Sequence, residues 1–312
     1  MKKRVLSLAL ALVLMIGVML LMGTPALAAI PDTSWYYDNP HAEPFKIGTA
    51  DQLAGLAKLV NEERLNFFGR TILLVSDIDL SGYQSGSGWI PIGGGILNAA
   101  SFSGTFDGQG HVIRNLKITN HDWHTHGLFG RILDATIENI GLEGAIINVD
   151  TAYNSTRCIG GIVAIAQRSI IRNCYNKGGA ISGIAGTVGS YFGGIAGDFS
   201  SSSSNVTIEN CYNTSNISCE ATLASYVGGI VGGNISGTSS TVSNSYNMGN
   251  VTVAGPSVHA GGIGGSYSGL IRDCYNRGTV SSNSGSVAYA GGLAQGSIAT
   301  LTGLALVIMQ VL

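Results

Sequence analysis

The sequence predicts an all-β chain wound as a parallel β-helix of about six coils of 30 to 35 residues, with a short N-terminal capping helix. Three observations carry this. Double glycines stand at 160–161, 193–194, 228–229, 261–262 and 291–292, at intervals of 33, 35, 33 and 30 residues, and a related GLFG begins another 33 residues upstream at Gly127. A sustained period in this range marks a solenoid, in which each unit covers the apolar face of the next. Second, a six-residue motif recurs as NCYNKG (173–178), NCYNTS (210–215), NSYNMG (244–249) and DCYNRG (273–278). Third, each unit holds three short pieces rich in β-branched residues, such as YVGGIVG (226–232), STVSNSYN (240–247) and NVTV (250–253), which predict three strands per coil and a triangular section. Helical repeats are excluded because glycine and β-branched residues at this density are poor helix formers and no 3.6-residue apolar period is sustained.

In chain order, Lys2, Lys3 and Arg4 precede an apolar run from Val5 to Met22 and an Ala26-Leu27-Ala28 site. Residues 1–28 read as a secretory signal peptide cleaved after Ala28. An uncleaved membrane anchor is the alternative, since the run is long enough to span a bilayer. Residues 29–70 are expected to form an N-terminal strand and the capping helix. TADQLAGLAKLV (49–60) carries capping-box spacing at Thr49 and Gln52 and one apolar face of Leu53, Leu56, Leu59 and Val60. First-coil strands follow at 71–80 and 111–118, and the repeats extend to residue 297.

Within the motif, Ile171, Ile208, Val242 and Ile271 must point inward, whereas Arg172, Glu209, Ser243 and Arg272 are too varied to be buried. Asn173, Asn210, Asn244 and Asp273 tolerate bends and can hydrogen-bond along the stack. Strict alternation would put the asparagine inside. A bulge at it would instead turn Cys174, Cys211, Ser245 and Cys274 inward, and this reading is preferred. Gly178, Ser215, Gly249 and Gly278 mark a turn expected to need positive φ. The recurrence makes Cys174, Tyr175, Asn176, Cys211, Tyr212, Asn213, Tyr246, Asn247, Cys274, Tyr275 and Asn276 structural ladders and not a reactive site. Because three of the five cysteines occupy one repeat position, mostly unpaired thiols are expected.

The tail, 298–312, breaks the pattern where a fifth motif should stand. A membrane anchor, an apolar capping strand and a frameshift are the three readings. Leu306 to Val311, back-translated and shifted by two nucleotides, permits Cys-Tyr-Asn-Ala-Gly, so the chain is read as a piece of a longer surface protein.

The order ILLVSDIDLSG, WIPIG, FSGTFDGQGHVIRNLKI, GLFG and IENIGLEG, followed by GGIVG-type and NCYN-x-G units, resembles bacterial GLUG-motif repeat proteins over residues 45–297. The resemblance implies an exported or cell-surface right-handed β-helix, often one region of a larger protein with adhesive or undefined roles. Some such proteins carry a metallopeptidase domain, but this chain has no H-E-x-x-H.

A formal net charge of −2 argues against a nucleic-acid binder. Polysaccharide lyases and glycosidases on β-helices need clustered carboxylates, for which Asp77, Asp79 and Asp107 are the candidates. Their turn-like settings offer a plainer reading. HDWHTH supplies His121, Asp122, His124 and His126 as the densest ligand-type cluster, but zinc sites usually draw on two separated segments. Trp35, Tyr36, Tyr37, Trp89 and Trp123 could form a sugar-stacking face. The expectation is a non-enzymatic secreted or cell-surface scaffold, without cofactor or metal, that contacts a surface glycan or a host or cell-wall component and, after signal cleavage, no membrane. A polysaccharide-active enzyme using Asp77, Asp79 and Asp107 is the rival.

Overall fold

The computed structural model describes residues 29–95, 100–119, 123–150, 156–185, 189–199, 205–234, 239–283 and 287–291. Residues 1–28, expected to be a signal peptide, the tail 298–312, and His121 and Asp122 lie outside them. Every registered strand pair is parallel, and the strands fall into five sheets of eight, seven, six, six and five members, each built from successive coils. The chain is a parallel β-solenoid. One coil visits all five sheets in turn, as in Ile170–Arg172, Tyr175–Lys177, Ala180–Ala185, Ser190–Gly193 and Ala196–Asp198. The expected three strands per coil are therefore five. The pieces read as single strands break at the asparagine of the motif and at the double glycine, where the backbone turns a corner.

The core is built from columns. In the eight-stranded sheet Phe45, Ile72, Phe106, Ile137, Ile171, Ile208, Val242 and Ile271 lie in register, all essentially buried. Each such side chain gains roughly 1.5–3 kcal/mol on burial. Because parallel strands place like residues on like, one apolar repeat position becomes a continuous hydrophobic spine.

The helix Ala50–Asn61 starts at Thr49, whose side chain accepts from the Gln52 amide at 3.2 Å. Leu53, Leu56, Leu59 and Val60 are buried in the same core as the first coil. Gly55 is required because a Cβ there would fall on the Asp32 carbonyl, which crosses the helix at that point.

At the motif corner Asn173, Asn210, Asn244 and Asp273 have φ of 53, 52, 48 and 52°. This left-handed residue, which asparagine and aspartate tolerate better than most, is an exposed corner, and the cysteine after it turns inward. The expected positive φ four residues after the cysteine occurs only at Gly178 (69°). Gly249 and Gly278 are needed for another reason: a Cβ on either would fall on the carbonyl of the coil before, Ser215 or Gly249. Gly178 is the extra residue of its coil, and Gly179 takes the close-approach place.

Candidate functional site

The last three residues of the NCYN motif form three ladders. Outside, the tyrosine rings of Tyr175, Tyr212, Tyr246 and Tyr275 stack at 4.8, 5.0 and 5.0 Å between centroids, within 6° of parallel. Inside, Cys174, Cys211 and Cys274 are buried and unbridged. Burial pushes the Cys174 thiol well up and Cys274 to about 11, which suppresses the reactive thiolate.

The third ladder is of amides. Asn176 Nδ2 donates to Asn213 Oδ1 at 3.3 Å, Asn213 Nδ2 to Asn247 Oδ1 at 2.8 Å, and Asn247 Nδ2 to Asn276 Oδ1 at 2.8 Å. Asn213 and Asn247 also bond the backbone two residues on, through both amide atoms. Asn176, Asn213 and Asn247 are fully buried. The double glycines make room for them across the coil. A Cβ on Gly161 would stand 2.7 Å from Asn176 Nδ2, and Cβ atoms on Gly194 and Gly229 would overlap Asn213 and Asn247. The two repeat signatures are thus halves of one packing arrangement, which their separate spacings in the sequence do not reveal.

The carboxylate candidates are held singly. Asp77 accepts from Arg114 at 2.9 Å and from the Val112 amide at 3.0 Å, with His111 at 3.2 Å. The Arg114 guanidinium first, then that amide, holds its carboxyl at about 2. Asp79 takes Asn115 Nδ2 at 2.8 Å and the Ser81 amide at 2.9 Å, which lower its pKa. Asp107 accepts from Asn139 Nδ2 and the Gln109 amide, both at 2.9 Å. It heads an outer ladder in which Asn173 donates to Asn139 and Asn210 to Asn173. Asp79 and Asp107 each cap a corner through the amide two residues on, Asp77 ties its corner to the next coil's strand Val112–Arg114, and a carboxyl held near 2 is the opposite of a general acid's.

Of the histidine cluster, His126 is fully buried in a strand and His124 is half-buried with Nδ1 3.2 Å from the Thr156 carbonyl. Among the described residues no group of three His, Cys, Asp or Glu could hold a metal ion.

The aromatic candidates divide. Trp35 and Tyr36 pack with Phe45 and Phe67. Tyr37 is exposed, with its hydroxyl on Glu63. Trp89 is 1% exposed and donates to the Leu128 carbonyl at 3.1 Å, so it belongs to the first coils' packing. Trp89 and the half-buried Trp123 nevertheless both line a cleft of about 470 Å³ beside the capping helix.

A second aromatic ladder stands outside the NCYN motif: Tyr191, Tyr226 and His259 stack at 5.1 and 4.8 Å on the six-stranded sheet that carries the double glycines. The YVGG spacing was its only signal. Beside it Asp198 is buried and raised to about 7 by desolvation, partly offset by the Phe199 amide.

The fold and these ladders define a parallel β-solenoid repeat protein. No protein-family model matches the chain. Halomucin of Haloquadratum walsbyi is 31% identical over 167 residues, half of this chain but 2% of that protein. A Gly-rich membrane protein of Evansella cellulosilytica, so named provisionally, is 36% identical over 112 residues, 35% of this chain and 12% of that one. The chain thus spans a small part of the curated relatives it matches.

Among solved structures, a Bacteroides ovatus protein provisionally described as an immunoglobulin A1 protease superposes with TM-score 0.61 at 24% identity, over 77% of this chain and 67% of that one. An IgA1 protease gives TM-score 0.50 at 18% identity, over 82% of this chain and 21% of that one. These likenesses concern the fold. No helix among the described residues is long and apolar enough to cross a membrane.

Proposed function

We propose that the chain is a non-enzymatic, rigid scaffold segment of an exported surface protein of the GLUG-motif kind, with an adhesive contact to a glycan. The observation that carries the reading is the fate of its chemistry-bearing side chains. Asp79 and Asp107 are bound to corner amides and ladder partners, Asp77 to the next coil's strand, and the buried motif asparagines bond to one another. A surface setting draws support from the names of the partial relatives, a halomucin and a membrane protein. Cleavage of immunoglobulin A1 is not carried over from the structural neighbours, because fold does not give function.

The test is an assay of the full chain against uronic-acid and neutral polysaccharides, read as new reducing or unsaturated ends. No product is expected from the wild type. Product that disappears in Asp77→Asn or Asp107→Asn would establish the polysaccharide-active enzyme instead.

A further inference from the structure

A cleft opens at the surface beside the capping helix. Here a space of about 470 Å³ is kept open between the helix Ala50–Asn61 and the segment around Trp89 to Gly95. That volume lies in the range of roughly 300–1,000 Å³ usual for small-molecule sites.

The walls are fixed by bonds that do not depend on an occupant. Asn61 ties the helix to the facing segment twice, donating to the Pro91 carbonyl at 3.0 Å and accepting from the Gly93 amide at 2.9 Å. The Tyr83 hydroxyl donates to Asp51 at 2.6 Å, and the Tyr83 ring meets Trp89 edge to face at 6.0 Å. Trp123 lies so close over Gly94 that a Cβ there would stand 2.7 Å from the indole ring. Its backbone carbonyl is held by Arg157. The cleft is preorganised, which lowers the entropy a ligand must give up.

The lining has a definite chemistry. Ala54 and Ala57 contribute methyl groups, and Tyr83 and Trp123 are half-buried aromatics. Lys58, Glu62 and Arg64 are exposed residues of the same lining, two cations against one carboxylate. A sugar ring offers one face of C–H groups for an aromatic and a rim of hydroxyls for charged hydrogen-bonding groups. The excess of positive charge favours a ring that carries a carboxylate.

We infer that this cleft is a binding site for an acidic pyranose, a uronic-acid unit of a glycan. The inference rests on the adhesive part of the function proposed above and places it at the cap, away from the repeat ladders.

The experiment is a calorimetric titration of the full chain with three probes: tri-galacturonate, neutral xylotriose and cationic chitotriosamine. Tri-galacturonate is expected to bind with Kd below about 1 mM, at least tenfold tighter than either other probe. Trp123→Ala should weaken it at least tenfold. Lys58→Glu, at an exposed position that leaves the packing intact, should remove the preference for the acidic probe. Silence from all three probes at millimolar concentration overturns the inference, as does equal binding of the neutral and acidic probes. Unchanged affinity in Lys58→Glu overturns it even if Trp123→Ala fails to fold. Each of these outcomes leaves the scaffold reading standing, whereas product release during the titration overturns that reading instead.

Discussion

The early and late coils solve the same packing problem differently. In the seven-stranded sheet the inward column runs Ile78, Ile113 and Leu142, then changes to Asn176, Asn213, Asn247 and Asn276. The opposite corner changes at the same place. Between the registered pairs His126–Ile159 and Phe129–Val163 the later coil carries one more residue, so a leucine in GLFG gives way to a second glycine and an isoleucine. An aliphatic column packs against an aliphatic corner. An amide column needs a partner amide above and below, backbone groups beside it, and glycine across from it. The late coils gain directional inter-coil bonds and lose tolerance, because buried amides without partners are costly.

The amide column is most vulnerable to Gly194→Ala. Its Cβ would overlap both Asn213 and the Gly229 carbonyl, and a loss above about 4 kcal/mol is expected, near the exceptional end for single substitutions. Soluble yield and the thermal midpoint report it. Asn213→Leu comes next. It strips donors or acceptors from Asn176, Asn247 and the Ser215 backbone at once, so about 3 kcal/mol is expected, measured by urea unfolding against wild type.

Asp198→Asn should move stability in the other direction at neutral pH. The folded carboxyl titrates at about 7, above its ordinary value of 3.8. Folding therefore favours the protonated form, and wild-type stability falls as pH rises from about 4 to about 7. The variant should be more stable above pH 7, by on the order of a few kcal/mol, and the gap should close near pH 4. A gap independent of pH would disprove the assignment. Asp77 has the opposite sign, its support being present above 3.8 and lost as pH falls toward about 2.

Asn176→Leu is the milder test. Asn176 stands at the ladder's end, registered with Leu142, and its Oδ1 finds no donor among the described residues. About 1 kcal/mol is expected, clearly less than for Asn213→Leu; equal costs would mean that the ladder's bonds are not what the asparagines supply. Smallest of all is Asn210→Gly at the exposed corner, where φ is 52°. Glycine accepts that conformation freely, so the lost bond to Asn173 should leave stability within about 0.5 kcal/mol.

Much of the solenoid is legible in the sequence because stacking turns period into contact. Ile171, Ile208, Val242 and Ile271 are apolar at one place in the repeat and buried in one column. The corner at Asn173 is harder to read, since either an inward asparagine or a break in the strand satisfies the alternation. Positive φ decides it. The division of each coil into five strands is not legible, because a corner residue interrupts pairing without interrupting composition. The cleft beside Trp123 carried only the weak signal of scattered aromatics, which cannot separate Trp89, a packing residue, from Trp123.

Period and composition are enough to show that this chain repeats, that its repeats are strands, and which positions of each unit are apolar. These are properties of neighbours along the chain and of a fixed period. Coil packing alone shows that the double glycines exist for the buried asparagines, that Asp79 and Asp107 are corner caps, and that Asp77 ties one coil to the next. It alone brought helix Ala50–Asn61 and Trp123 to one cleft. Those relations join residues on different sides of a coil, and their distances follow from how the corners bend, which no repeat spacing records.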